Sequence, residues 1–524
     1  MNERALALPF DPTGIVLDRR RGLSQQLYQA LRARVLDGRL GSGTRLPATR
    51  DLAGMLSLSR NSVVRAYDQL YAEGYIESRV GDGTYVSQLP KLSTQVSTGL
   101  SLGLSTGLST FSSSDTEDLS SSERSSEPLQ RLKNNHLPPP KAGTPRAFRV
   151  GVPAFDLFPF EVWARLQAGF WRNPDPALLG YGDPAGELQL RELIAAYLRR
   201  SRGLSCGAEQ IVITSGAQQA ISLCAQLLLQ PGDGVAVENP GYRAAGHTFA
   251  LAGAKVRGVP VDDEGLDCEQ LAQLPDCRMA YVTPAHQYPT GVTMSLARRL
   301  SLLDWAQRQD GWIIEDDYDG EYRYSGAPLA PLASLDRQGR VLYVGTFGKI
   351  AFPALRLGYL VLPRQLVEAF SQGRALAVRH SEVGTQCVMA QFMAQGHFQR
   401  HIRRMRKAAL ARRNVLKAGW PEDVPGLGGM PEVAAGLHVK VAVDNLAREQ
   451  ELVALAEAVG VEVNPLSSYW LEDGNVPVDK RAGLVLGFAA VPEAQIADAL
   501  MRLRRAWRAS SRVNPLPQGS PPAL

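Results

Sequence analysis

The chain has 524 residues, 44% of them hydrophobic and 21% charged, with a net charge of +5. That length allows two to four domains and a large core, and the mild basic balance permits an anionic partner without demanding one. No run approaches the ~20 apolar residues of a membrane span, no apolar core marks a signal peptide, and five scattered cysteines without CxxC spacing point to a reduced, cytoplasmic protein.

Residues 1–89 read as a small module of three helices and a hairpin. Leu27, Leu31 and Val35 recur at helical spacing over about Leu23 to Asp37. "RLPATRDLAGMLSLSRNSVVRAYDQLYAEGYI" then gives two helices with a tight break. Pro47 suits a first turn, Leu52, Met55 and Leu56 form one apolar face, and Ser59 is a natural N-cap. Val63, Tyr67, Leu70 and Tyr71 form the next helix's apolar stripe. "YIESRVGDGTYV" reads as two short strands around a glycine tip.

Helix, helix, helix, hairpin is the winged helix-turn-helix plan, whose recognition helix enters the major groove N-terminal end first. Arg60, Asn61, Ser62 and Arg65 supply hydrogen-bond donors there for bases or phosphates. With 12 basic against 9 acidic residues over 1–89, charge alone is a weak footprint. The order of motifs is more specific. "RLPATRDLA", "SRNSVVRAYDQL" and "EGYIESRVGDGTYV" resemble the GntR-family DNA-binding module. That resemblance implies double-stranded DNA as partner, met by Arg50, Arg60, Ser62, Arg65 and the wing from Gly81 to Gly83.

Residues 90–147 are rich in Ser, Thr, Gly and Pro, with an internal STGL repeat. Such a stretch buries too little apolar surface to offset its ordering entropy and is expected to be a disordered linker with a reach of roughly 40 Å.

From residue 148 to about 510, short apolar strands alternate with helices, which predicts a mostly parallel sheet; residues 511–524 read as a flexible tail. Ligands bind such sheets at the carboxyl ends of strands. Ser215, Tyr242, His286, Asp316, Tyr318 and Lys349 all stand at those ends. Ser215-Gly216-Ala217-Gln218 opens a helix whose free N–H groups suit an anion, and Arg356 adds a charge for a phosphate. A phosphate cradle, a carboxylate, an aromatic platform and a lysine in an apolar run are the parts that hold pyridoxal 5′-phosphate.

"YGDPAGELQLRELIAAYLRRSRG", "ITSGAQQA", "ENPGY", "YVTPAHQYPTGVTMSLARRL", "IIEDDYDGEYRY" and "VGTFGKIAFPALRLGYLVLP" resemble a fold-type I aminotransferase. Joined to a GntR-type module, the whole resembles the MocR/GabR regulators. The implied fold is an α+β winged helix-turn-helix module linked to a large α/β aminotransferase-like domain. By the same resemblance Lys349 is the Schiff-base lysine, Asp316 partners the pyridine nitrogen and Tyr318 the ring oxygen. Tyr242 would stack on the ring, and Ser215, Gly216, Ala217, Gln218 and Arg356 would hold the phosphate. His286, Gln287 and Tyr288 fall where aminotransferases place a ring-contacting Asn. A homodimer is implied as well.

Two positions depart from the pattern. Gly348 replaces a phosphate-binding Ser before the lysine, and Val485 stands where an Arg clamps the substrate carboxylate, with Arg481 near it in sequence. Efficient transamination is therefore not expected, although a half-reaction stays open. The effector would be an amine, an amino acid or free pyridoxal phosphate. The competing readings are a working aminotransferase that carries a DNA-binding module, and a DNA-binding scaffold without cofactor. His397 and His401 stand four apart on a basic helix, Arg400 to Lys417, without an acidic third ligand, so no metal is expected. That helix reads as a solvated face, with a second DNA contact as the alternative.

Overall fold

The computed structural model describes residues 12, 14–18, 22–79, 82–87, 126–135, 137, 141–324, 329–471 and 481–511. They fall into two units, Met1–Leu119 and Ser120–Leu524.

In the first unit, helix Leu23–Leu36 buries Leu27, Leu31 and Val35. Helix Thr49–Leu56 follows Ala48 rather than Pro47 and buries Leu52. Helix Arg60–Ala72 is capped as expected, with Ser59 Oγ accepting from the Ser62 N–H at 3.1 Å. Two apolar residues expected inside are exposed, Met55 and Tyr71. Tyr71 follows Leu70 and so lies about 100° off the buried stripe of Val63, Tyr67 and Leu70. The hairpin Ile76–Arg79 and Gly83–Val86 is joined by a strand that periodicity does not reveal, Arg45–Leu46, which pairs with Gly83–Val86.

The second unit is built on an eight-stranded sheet. Its spatial order is Ile211–Thr214, Gly358–Val361, Val341–Thr346, Trp312–Asp317, Cys277–Val282, Gly234–Asn239, Lys255–Asp262 and Gly265–Leu266. Only Gly358–Val361 and the short last strand run against the rest. Apart from Lys255–Asp262 near the edge, the strands are buried almost throughout, as parallel strands covered on both faces must be. Their carboxyl ends share one edge, which places Ser215, Asp316 and Lys349 there.

A second, antiparallel sheet is formed by His438–Ala442, Gly483–Gly487 and Asn464–Pro465, in that order. Val439, Val441, Leu484 and Leu486 point into a core closed by helices His397–Gly419, Leu446–Ala458 and Glu493–Ser511. His438, Lys440 and Val485 alternate with these residues and share the opposite face. The chain enters this unit pinned to the same sheet: the Gly487 N–H donates to Phe148 O at 3.0 Å, and Phe148 is fully buried.

The expectation of disorder from 90 to 147 fails in part. Glu127–Asn134 is a helix with Pro in its first turn, an acidic start and a basic end. It packs on helix Arg243–Leu251, and the Arg131 guanidinium lies over Gly253. First-turn Pro and dipole signals therefore override the Ser-rich composition there. Ala147, at the other end of the stretch, is buried.

Candidate functional site

At the carboxyl edge of the large sheet lies a cavity of about 210 Å³. Of the residues expected there, Gly216, Ala217, Gln218, Tyr242, Tyr288, Asp316, Tyr318, Lys349 and Arg356 line it. Ser215, His286 and Gln287 do not.

Lys349 follows strand Val341–Thr346, and its Nζ donates to the Gly151 carbonyl at 2.7 Å. Burial lowers its pKa, against the pull of Asp319 and Asp316. That favours a neutral amine, the nucleophilic form. Asp316, next to last in strand Trp312–Asp317, is buried; its Oδ2 accepts from Tyr281 Oη at 2.7 Å, and its Oδ1 has no hydrogen-bond partner. Burial pushes its pKa up to about 7, with Asp317 adding to the rise and Tyr281 and Lys349 opposing it. The cavity thus holds a carboxylate that lacks a cation of its own.

The cradle for an anion is formed at one corner. Gly216, at φ 99°, turns the chain from strand into helix Ala217–Leu228. Arg356 folds back over this turn, so that its guanidinium lies 3.6 to 3.7 Å from the place a Gly216 Cβ would occupy. Ser215 stands one residue back, and its N–H is taken by Gln219 Oε1 at 2.7 Å. Gln218 meets Thr248 and, at 3.3 Å, the Tyr242 hydroxyl. Burial raises the Tyr242 pKa to about 12, so it stays neutral.

In the run His286-Gln287-Tyr288 only Tyr288 reaches the cavity. Gln287 is buried and organises its own turn: its amide donates to Pro240 O at 2.9 Å and Glu238 Oε2 at 3.1 Å, and accepts from Thr290. His286 lies behind Tyr318, with Nδ1 3.0 Å from Asp319 Oδ2. His286, Asp319 and His438 bring ligand-type atoms within 4.8 Å of one another, yet His286 and Asp319 bond each other and His438 Nε2 meets Pro289 O at 3.1 Å. The pair considered for metal on the basic helix separates: His401 is buried against Ile350 O at 2.8 Å, while His397 stacks on Phe392.

Sequence reasoning missed several lining residues, among them Gly151, Tyr281, Thr283, Thr346, Leu437 and His438. Tyr281 reads as one more apolar strand residue, and Gly151 acts through its backbone, which no side-chain pattern reveals. The alternation in "GLHVKVA" was the available signal for His438, which sits in a short antiparallel strand.

In the first unit Arg50, Arg60, Asn61 and Arg65 are exposed. Ser62 is half-buried, its hydroxyl 2.8 Å from that of Ser59 within the cap. Gly83, at φ 130°, begins the second wing strand, and Gly81 lies outside the described residues. Arg45 was not anticipated; it braces the wing through the Asp82 carbonyl at 2.5 Å. Arg79 covers the Tyr85 ring at 4.4 Å.

Residues 148–511 match the family model of aminotransferase class I and II, and residues 23–86 that of bacterial regulatory proteins, gntR family. The "Probable rhizopine catabolism regulatory protein MocR" of Rhizobium meliloti is 35% identical over 96% of this chain and 98% of its own. The chain belongs to the MocR-type regulators. A second relative in this group, the "HTH-type pyridoxine biosynthesis transcriptional regulator PdxR" of Corynebacterium glutamicum, is 31% identical over 94% of this chain and 97% of its own. Kynurenine aminotransferase of Pyrococcus horikoshii superposes with a TM-score of 0.61 at 28% identity, covering 74% of this chain and 95% of its own.

The MocR-type chain is a transcriptional regulator of the GntR family whose large domain has the fold-type I aminotransferase architecture, and its cofactor is pyridoxal 5′-phosphate. The residues present fit that cofactor. The unpartnered Asp316 Oδ1 suits a protonated ring nitrogen, and the Gly216 turn under Arg356 suits a phosphate. Bound, the cofactor supplies an aldehyde for an amine and an electron-withdrawing ring. Among the described residues no helix is long and apolar enough to cross a membrane.

Proposed function

We propose that this regulator uses the cavity as a sensor: pyridoxal phosphate, alone or joined to an amine or amino acid, shifts the affinity of its winged module for operator DNA. Lys349 would anchor the cofactor, Asp316 pair with its ring nitrogen, Tyr318 face its ring oxygen, Tyr242 and Tyr288 flank it, and Gly216–Gln218 with Arg356 hold the phosphate. Arg50, Arg60, Asn61, Arg65 and the wing would meet DNA. For a ligand to act, it must bind two states of the protein differently.

The observation that carries the sensor reading over steady transamination is Val485. It is 0% exposed and lies on the sheet face that carries His438 into the cavity. Among the described lining residues, Lys349 and Arg356 are the only lysine and arginine, and both are assigned to the cofactor. Among the described lining residues there is no spare guanidinium to clamp an α-carboxylate. A cytoplasmic homodimer completes the proposal.

Fluorescence anisotropy at fixed salt, with DNA from upstream of the protein's own gene, tests this. Sequence-specific affinity that changes several-fold with pyridoxal phosphate is expected, with no steady turnover of amino acid and keto acid. Multiple turnovers together with cofactor-independent DNA binding would overturn it.

A further inference from the structure

His286 is buried and off the cavity, yet it touches a residue that lines it. Tyr318 Oη donates to the His286 carbonyl at 2.9 Å, and the same oxygen lies 3.1 Å from His286 Nδ1. Nδ1 also meets Asp319 Oδ2 at 3.0 Å. A carboxylate only accepts, so this contact assigns the proton to Nδ1. One N–H is then shared between the Asp319 carboxylate and the Tyr318 oxygen.

The ring that carries it cannot swing. Gly436, at φ 81°, passes so close that any Cβ there would collide with the imidazole. Its neighbour Leu437 donates its N–H to Asp319 Oδ2 at 3.3 Å. The His438 ring packs on the other contact of the imidazole, centroids 4.7 Å apart. A hydroxyl that receives a fixed N–H is a better donor for whatever it faces, because hydrogen bonds in a chain polarise one another.

We propose that His286 and Asp319 are positioning residues for Tyr318: the shared Nδ1–H sets how strongly its one O–H, which goes to the His286 carbonyl in this structure, donates to the cofactor's ring oxygen once turned toward it. The inference rests on the reading above that Tyr318 faces that oxygen. His286 is thereby moved from the cofactor's own contacts to the layer behind them.

The test is the visible absorption of full-length protein saturated with pyridoxal phosphate, followed from pH 5.5 to 9. A hydroxyl that donates less well stabilises the ring oxygen's negative charge less, so the midpoint of the band rises. Tyr318→Phe gives the full rise and His286→Gln a rise of about one pH unit, whereas Asp319→Asn also loses a negative charge that raises the Lys349 pKa and so rises less. His286→Asn places an amide N–H where Nδ1–H was and stays near wild type; Gln places its amide at the Nε2 position. The comparison of two polar replacements at one site stands even if an apolar one fails to fold. The other groups around Tyr318 (Asp316, Glu238, Tyr288 and His438) are unchanged in these variants; Asp319 also acts on Lys349 directly, so His286→Gln against His286→Asn is the comparison that isolates the contact.

If Tyr318→Phe leaves the midpoint in place, the reading of Tyr318 at the ring oxygen fails and the inference with it. If Tyr318→Phe moves the midpoint while His286→Gln does not, the positioning role alone is overturned. A stoichiometric divalent ion that is lost on His438→Ala would also overturn it, because the nitrogen would then be a ligand.

Discussion

Replacing Asp316 by Asn should stabilise the cofactor-free protein and weaken the cofactor-loaded one. Burial raises the Asp316 pKa from 3.8 to about 7. Between those values the folded chain binds a proton that the unfolded chain has lost, so stability falls as pH rises through the window. Above pH 7 the full difference applies, which at about 1.4 kcal/mol per pH unit is about 4 kcal/mol. Asn carries no charge to desolvate, and its carbonyl still accepts from Tyr281. Glu238 and Glu315, also raised to about 7 by burial, produce the same trend in both proteins and cancel in the difference. The assay is thermal unfolding of cofactor-free wild type and Asp316→Asn at pH 5 and pH 8. The variant's advantage should grow by roughly 5 °C toward pH 8 for a domain of this size. With saturating cofactor the order reverses, since Asn offers the ring nitrogen no counter-charge. Parallel curves across the pH range, or a less stable empty variant at pH 8, would refute the argument that Asp316 is held as a buried, uncompensated acid.

Other outcomes follow from single contacts. Gly348→Ser should tighten pyridoxal phosphate about five-fold, the worth of one added hydrogen bond. A Cβ at that position meets only Thr346 Oγ1 at 3.3 Å and Pro353 Cα at 3.6 Å, and equilibrium titration of the visible band would measure the gain. Gly436→Ala should cost about 2–4 kcal/mol of stability, combining a positive φ with a collision into His286, and calorimetry checks it. Arg65→Ala should weaken binding to operator and random DNA alike and reduce the slope of log affinity against log salt by about one; an unchanged slope would remove Arg65 from the phosphate contacts.

Much of the site was readable because it follows from the alternation of strand and helix. Lys349, Asp316 and the Gly216 turn stand where parallel strands end, and strand ends can be found from apolar runs alone. Side-chain direction within a loop cannot. In His286-Gln287-Tyr288 one residue faces the cavity, one ties its own turn and one lies behind Tyr318. The choice is made by Glu238, Asp319 and Gly436, far away in sequence. His438 escaped notice because its strand belongs to the second sheet, whose polar face is turned inward. Composition also misled over 127–134, where a helix with Pro in its first turn sits in a Ser-rich stretch. The winged module was legible from apolar spacing and the Ser59 cap, whereas its third strand, Arg45–Leu46, is too short for any period.

The pairing of Phe148 with Gly487 has a consequence for synthesis. Gly151, whose carbonyl receives the Lys349 amine, belongs to the first stretch of the large unit to leave the ribosome. The strand that pins this stretch is among the last. Until Gly483–Gly487 emerges, the cavity lacks the wall that seats its lysine, however long the rest has waited. Only a chain extended through Gly487 closes the site, so truncation before it would leave the Lys349 amine without its Gly151 wall.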